Sequence, residues 1–297
     1  MGGALAEAFG PAREVFEEVD EALGQSLFRL MQDGPEADLV LTENAQPALM
    51  AVSMAVMRVL EAEGGVDLAK SVKYVAGHSL GEYSALAAAG AIGLSDTARL
   101  LKRRGQAMQR AVPVGEGAMA ALLGLSLEDA AVVAEEAAQG EICSAANDNA
   151  TGQVVISGAS DAIDRAVEIA KEKGSKKAMR LNVSAPFHCA MMQPAADEMR
   201  EALAEVTVNK PVVPLVANVT AGAVDDTERI RELLVMQVTG MVRWRESVLY
   251  MKDQGVGALN EIGAGKVLAT MTRRIDREVE ASAVNTPEDI EKLIGAL

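Results

Sequence analysis

Apolar residues recur at helical spacing over residues 12–23 (AREVFEEVDEAL) and more densely over 46–63 (QPALMAVSMAVMRVLEAE). The pattern predicts an amphipathic helix followed by one buried on most sides. A short strand-like run at 73–76 leads directly into Gly77-His78-Ser79-Leu80-Gly81 and a helix-forming stretch at 82–89, so the order is strand, tight turn, helix. Residues 95–111 predict another helix, with Ser95 as its N-cap and Pro113 beyond its end. The pattern then changes. Strand 118–125, helix 127–138, strands 142–146 and 153–157, helix 161–173 and strand 176–181 give the order βαββαβ, the split βαβ or ferredoxin-like unit. After it come helix 191–204, strand 212–217, helices 226–238 and 244–254, a strand at 256–261 ending in Gly263-Ala264-Gly265-Lys266 with a helix behind it, and a last strand at 279–283. Strands and helices alternating on both sides of an inserted module predict an α/β protein. Its large domain, 1–111 and 193–297, would carry a parallel sheet, with a ferredoxin-like small domain at 112–192.

Composition narrows the function. Hydrophobic residues make up 49% and charged residues 24% of the 297, which leaves no room for a large disordered tail. No apolar run reaches the roughly 20 residues needed to cross a bilayer, and the first residues lack the pattern of a signal peptide, so a soluble cytoplasmic protein is expected. A net charge of −15 opposes nonspecific nucleic-acid binding. The two cysteines, Cys143 and Cys189, are too few for a disulfide framework and lack the spacing of a zinc site. No metal or nucleotide motif is present, and a monomer without a bound cofactor is the expectation.

Gly77-x-Ser79-x-Gly81 between a strand and a helix has the context of a nucleophile elbow. Glycines at both flanks relieve the crowding of a sharp strand-to-helix turn. The amide of Leu80 would point toward a developing oxyanion. A bare GxSxG also occurs as an ordinary glycine-rich turn; its placement favours the elbow. A serine needs a base, and there are two histidines. His78 adjoins Ser79 and on extended backbone points to the other side. His188 remains, in Asn182-Val183-Ser184-Ala185-Pro186-Phe187-His188, where the chain leaves the inserted module. Lys102, Arg103 and Arg104 sit together on one helix; one of the three can turn inward to offer a fork to a carboxylate, and spacing does not decide which.

The segments Gly77-His78-Ser79-Leu80-Gly81-Glu82-Tyr83-Ser84-Ala85-Leu86, Gln46-Pro47-Ala48-Leu49, Val183-Ser184-Ala185-Pro186-Phe187-His188 and Glu261-Ile262-Gly263-Ala264-Gly265-Lys266-Val267-Leu268 closely resemble the malonyl-CoA:acyl carrier protein transacylases of bacterial fatty-acid synthesis, and the likeness runs nearly end to end. It implies an α/β-hydrolase-like large domain with a ferredoxin-like small one. It also implies transfer of malonyl from malonyl-CoA to the phosphopantetheine thiol of acyl carrier protein through a seryl ester. On the matching positions Ser79 is the nucleophile, His188 its base, Arg104 the partner of the malonyl carboxylate, and Gln237 the residue whose carbonyl holds the histidine ring. Gln46 and Met108 line the acyl pocket and Asn149 lies nearby on the small lobe. Phe187 beside the base would crowd a branch at the acyl α-carbon.

Family members usually begin with a hydrophobic strand and a Gly-Gln-Gly-Ser-Gln loop that gives a second oxyanion amide. This sequence opens on Met1-Gly2-Gly3-Ala4-Leu5-Ala6-Glu7, so reduced turnover or a weaker core is the expectation. Gly240-Met241-Val242 and Ala264 are smaller departures. Two rival readings stand beside transfer: a serine thioesterase or esterase using the same pair, and a weakly active carrier-protein-binding module. For the acidic carrier protein, candidate docking groups are Lys171, Lys173, Lys176, Lys177 and Arg180 on the module, or Arg273 and Arg274 on the large domain.

Overall fold

A computed structural model describes residues 1–296. Three helices form the heart of the larger lobe. Thr42–Ala62 packs against Gly10–Leu23 on one side and Leu94–Ala111 on the other. Its small residues Ala48, Ala51 and Ala55 are buried and let the neighbouring helices approach. Helix Leu94–Ala111 approaches closely at Gly105, where a Cβ would lie 2.5 Å from the Glu43 Cα. That contact fixes the register between the two helices and brings Arg104 beside Gln46. Helix Leu94–Ala111 begins after Gly93, and Ser95 makes no cap; its Oγ instead donates to Glu18 Oε1 at 2.8 Å, tying two helices together.

The larger lobe carries two small sheets. In the first, β1 (Val75–Ala76) lies parallel to β6 (Leu215–Ala217), and β6 is antiparallel to β7 (Gly222–Val224). In the second, β8 (Ala258–Ile262) and β9 (Glu280–Val284) are parallel. Parallel pairing is thus present as expected, divided between two sheets, and β1 is shorter than the strand-like run at 73–76.

Between them the chain builds a four-stranded antiparallel sheet from β2 (Gly117–Leu123), β3 (Cys143–Ala150), β4 (Gln153–Ala159) and β5 (Lys177–Arg180), in the order β3-β4-β2-β5. With helices Leu127–Ala138 and Ser160–Glu172 this is the ferredoxin-like arrangement read from the sequence. Alternation along β2 divides its residues between two faces. Ala118, Ala120 and Leu122 join the core beneath the helices, whereas Met119 joins Ala146 and Val155 against Leu181 and Phe187. The second face therefore packs on the segment that leads to His188.

The lobes meet along β3, where two irregularities in the pairing with β4 turn consecutive residues inward. Val242 donates to Ala146 O and accepts from the Asp148 amide, both at 2.9 Å, so the segment after Gly240-Met241 is stitched to the small sheet. Arg245 adds a forked ion pair to the buried Asp148 carboxylate. No helix among the described residues is long and apolar enough to cross a membrane.

Candidate active site

Ser79 sits between β1 and helix Leu80–Ala88 with φ 53° and ψ −110°. This is a conformation that costs a non-glycine residue about 1–3 kcal/mol. Gly77 makes the turn possible: a Cβ there would lie 2.0 Å from Gly81 O. Gly77→Ala is expected to lower stability by about 3 kcal/mol and to reduce turnover; a variant with the parent's melting point and turnover would show that the turn tolerates the methyl. Asn218, just past β6, braces the turn from across the sheet. Its Oδ1 accepts from the Ser79 amide at 2.7 Å and its Nδ2 donates to Gly77 O at 2.7 Å. The Gly81 and Glu82 amides close on His78 O and Ser79 O, and Leu80 is the first residue of the helix. Its amide belongs to the positive end of that helix, facing the serine.

His188 arrives from the small lobe and is itself at φ 59°. Its Nδ1 donates to the Gln237 backbone carbonyl at 2.8 Å, which leaves Nε2 as the acceptor. Ser79 Oγ lies 2.9 Å from that Nε2. Burial, reinforced by the nearby Arg104 charge, pushes the imidazole down to about 3, so it is neutral at physiological pH.

Of Lys102, Arg103 and Arg104 on helix Leu94–Ala111, Arg104 alone turns inward. Lys102 pairs with Glu43, and Arg103 with Glu198 and Glu205. Arg104 is 1% exposed. Its Nη1 donates to Gln46 Oε1 at 2.7 Å, and its Nη2 to Gln237 Oε1 at 2.8 Å and to Ser79 Oγ at 3.0 Å. The guanidinium lies over the Tyr83 ring, 5.7 Å from its centroid. Burial lowers the Arg104 pKa, and an arginine remains charged regardless.

His188 and Arg104 thus meet at Ser79 Oγ, with Gln46 and Gln237 one contact further out on the guanidinium. Gln46 Nε2 reaches Met108 Sδ at 3.8 Å. Asn149 is one step out, its Oδ1 2.9 Å from His78 Nε2, and the His78 ring leans on Trp244. Phe187 is half-buried against both cores. Asn218 and Glu82 were missed. Asn218 follows a buried strand at its carboxyl end, and Glu82 is the one acidic residue in an apolar helix; those were the available signals. Among the described residues no three His, Cys, Asp or Glu side chains are grouped to hold a metal ion.

Fold and site together define an acyl transferase: residues 1–291 match the acyl transferase domain family. The malonyl CoA-acyl carrier protein transacylase of Escherichia coli K12 is 46% identical over 283 residues, 95% of this chain and 90% of that protein. The crystal structure of the acyl-carrier-protein-S-malonyltransferase from Bartonella henselae superposes with a TM-score of 0.97 at 55% identity, covering 99% of this chain and 95% of that one. A malonyl-transacylase solved in complex with its type II PKS acyl-carrier protein gives a TM-score of 0.96 at 43% identity, over all of this chain and 95% of the other. The chain belongs to the malonyl CoA-acyl carrier protein transacylase family.

Proposed function

We propose that this chain transfers malonyl from malonyl-CoA to the thiol of acyl carrier protein through an ester on Ser79. The observation that carries the reading is the single oxygen, Ser79 Oγ, held at 2.9 Å from a neutral imidazole nitrogen and 3.0 Å from a buried guanidinium. His188 Nε2 takes the Oγ proton as Oγ attacks the thioester carbonyl. The Leu80 amide stabilises the oxyanion. Collapse expels the CoA sulfur, which receives the proton from His188. In the second half His188 deprotonates the phosphopantetheine thiol, the sulfur attacks the ester, and collapse returns the proton to Ser79. Arg104 binds the malonyl carboxylate, which takes over the donor now spent on Ser79 Oγ and so frees the nucleophile. Phe187 beside the base favours malonyl over an α-branched acyl group.

Every proton and acyl transfer is assigned to side chains of one chain, which supports a monomer needing no cofactor besides the donor. Free thiols at Cys143 and Cys189 support a cytoplasmic setting. Mass spectrometry after incubation with malonyl-CoA tests the reading: one malonyl unit should appear on Ser79. Release of free malonate in place of transfer to pantetheine would make the enzyme a thioesterase.

For docking, the ion pairs within the basic cluster support one part of it over the rest. Lys171, Lys173 and Arg180 pair with Glu168, Glu136 and Asp164. Lys176 and Lys177 are exposed and, among the described residues, have no ion pair. Arg273 and Arg274 donate to the neutral acceptors Ala281 O and Gln153 Oε1 and keep their charge, so they stand as the alternative patch. The double substitution Lys176→Glu, Lys177→Glu is expected to raise KM for carrier protein about 10-fold while leaving KM for malonyl-CoA unchanged. Equal values for the carrier protein would remove this patch from docking.

A further inference from the structure

Glu82 is fully buried three residues beyond the nucleophile, has no ion pair among the described residues, and is used by no step above. Its Oε2 accepts from Gln237 Nε2 at 2.5 Å and faces the Asn218 amide at 3.4 Å, while Oε1 is buried without a hydrogen-bond partner. Removing a carboxyl from water in this way is unfavourable, and an apolar residue of equal length would fill the space at less cost. The first helical turn offsets only part of that penalty.

What Glu82 touches explains the placement. Asn218 and Gln237 between them hold each part of the site. Asn218 braces both sides of the turn, at the Ser79 amide and Gly77 O. Gln237 holds His188 Nδ1 with its backbone carbonyl, Arg104 with Oε1, and Ser79 O with Nε2 at 3.0 Å. The side-chain amide of Gln237 could point either way on shape alone. Reversed, it would set its NH2 against the Arg104 guanidinium and its oxygen against Ser79 O and the Glu82 carboxylate, donor facing donor and acceptor facing acceptor. The amide is therefore oriented between a cation and a group of acceptors, Ser79 O at 3.0 Å, Asn218 Oδ1 at 3.4 Å and Glu82 Oε2, which makes the shortest contact at 2.5 Å. We infer that Glu82 is a positioning residue for malonyl transfer, fixing the Gln237 side-chain amide so that its Oε1 holds Arg104 beside Ser79.

This inference rests on the reading of Ser79, His188 and Arg104 given above. Burial raises Glu82 to about 7, against the opposing pull of Gln237, Asn218 and Arg104. Arg104 from helix Leu94–Ala111 and Tyr83 from its own helix are the charged and titratable groups coupled to it.

The test compares two full-length variants with the parent, each assayed with malonyl-CoA and acetyl-CoA and each melted. Glu82→Gln keeps an acceptor oxygen and the shape. Glu82→Met fills similar space without an acceptor. The parent must first be malonylated on Ser79; if it is not, the underlying reading fails, and the Glu82 comparison is not what failed. Given a malonylated parent, Glu82→Gln is expected within ~10-fold of parental kcat. Glu82→Met should fold, lose ~10²-fold in kcat for malonyl, and lose at least ~10-fold of its preference for malonyl over acetyl, because an unanchored Gln237 no longer holds Arg104. A packing role would preserve that preference. Equal kcat in the two variants, or a preference unchanged in Glu82→Met, overturns the proposal. If Glu82→Met fails to fold, a folded Glu82→Gln with less than one hundredth of parental kcat does the same.

Discussion

Ser79→Ala is expected to take up no malonyl group at all, and His188→Ala to take it up at least ~10³-fold more slowly than the parent. The two differ for a physical reason. Without Oγ there is no atom to carry the ester, whereas without the imidazole the hydroxyl remains on its turn, still receiving the Arg104 hydrogen bond, and lacks only the group that removes its proton. Ser79→Ala should melt near the parent, whereas His188→Ala, which removes a buried ring and leaves the Gln237 carbonyl without its donor, should melt lower. The check is a time course of the intact mass with malonyl-CoA. Malonyl on another residue in Ser79→Ala, or parental rates in His188→Ala, would contradict the assigned roles.

The second large effect is at Arg104. Replacing it with Ala should lower kcat/KM for malonyl-CoA by ~10²–10³-fold, the worth of one or two charge-assisted hydrogen bonds of about 1.5–3 kcal/mol each. Acetyl-CoA should suffer much less, since its methyl group makes no use of the guanidinium and Ser79 Oγ is released from the Nη2 donor. Substrate preference should therefore collapse more than overall activity does. Two acceptors, Gln46 Oε1 and Gln237 Oε1, would lose their partner in the interior, so some stability should be lost as well. Steady-state kinetics with the two donors decides it: equal proportional losses for malonyl and acetyl would mean that Arg104 supports the site without reading the acyl group.

Much of this was legible in the chain. The inserted module was readable because each of its elements carries its own period, as in the helix Leu127–Ala138, predicted at the same residues. The turn at Ser79 was readable because glycines flank a serine between a strand and a helix. Short elements were not: helices Gly3–Ala8, Leu27–Asp33 and Glu36–Leu39, and strand β7, are held by packing rather than by a pattern of their own. Ser95 has the chemistry of a cap, yet a tertiary partner, Glu18, claims its hydroxyl. Spacing could not choose Arg104 from its neighbours, because the choice depends on which helix lies against it. Gln46 and Gln237 came only through family likeness. Glu82 escaped notice because its partners in Gln237 and Asn218 are 155 and 136 residues away; nothing local tells a buried carboxyl from a solvated one.

Ser79 and His188 share an uncommon trait: each holds a positive φ without being glycine. Backbone preference alone would drive both positions toward the one residue that rests there without penalty, and that residue has neither hydroxyl nor ring. Drift at these two sites is thus pulled in opposite directions by comfort and by chemistry. A descendant that had given up the reaction would be free to gain firmness by losing the very groups that define its ancestor.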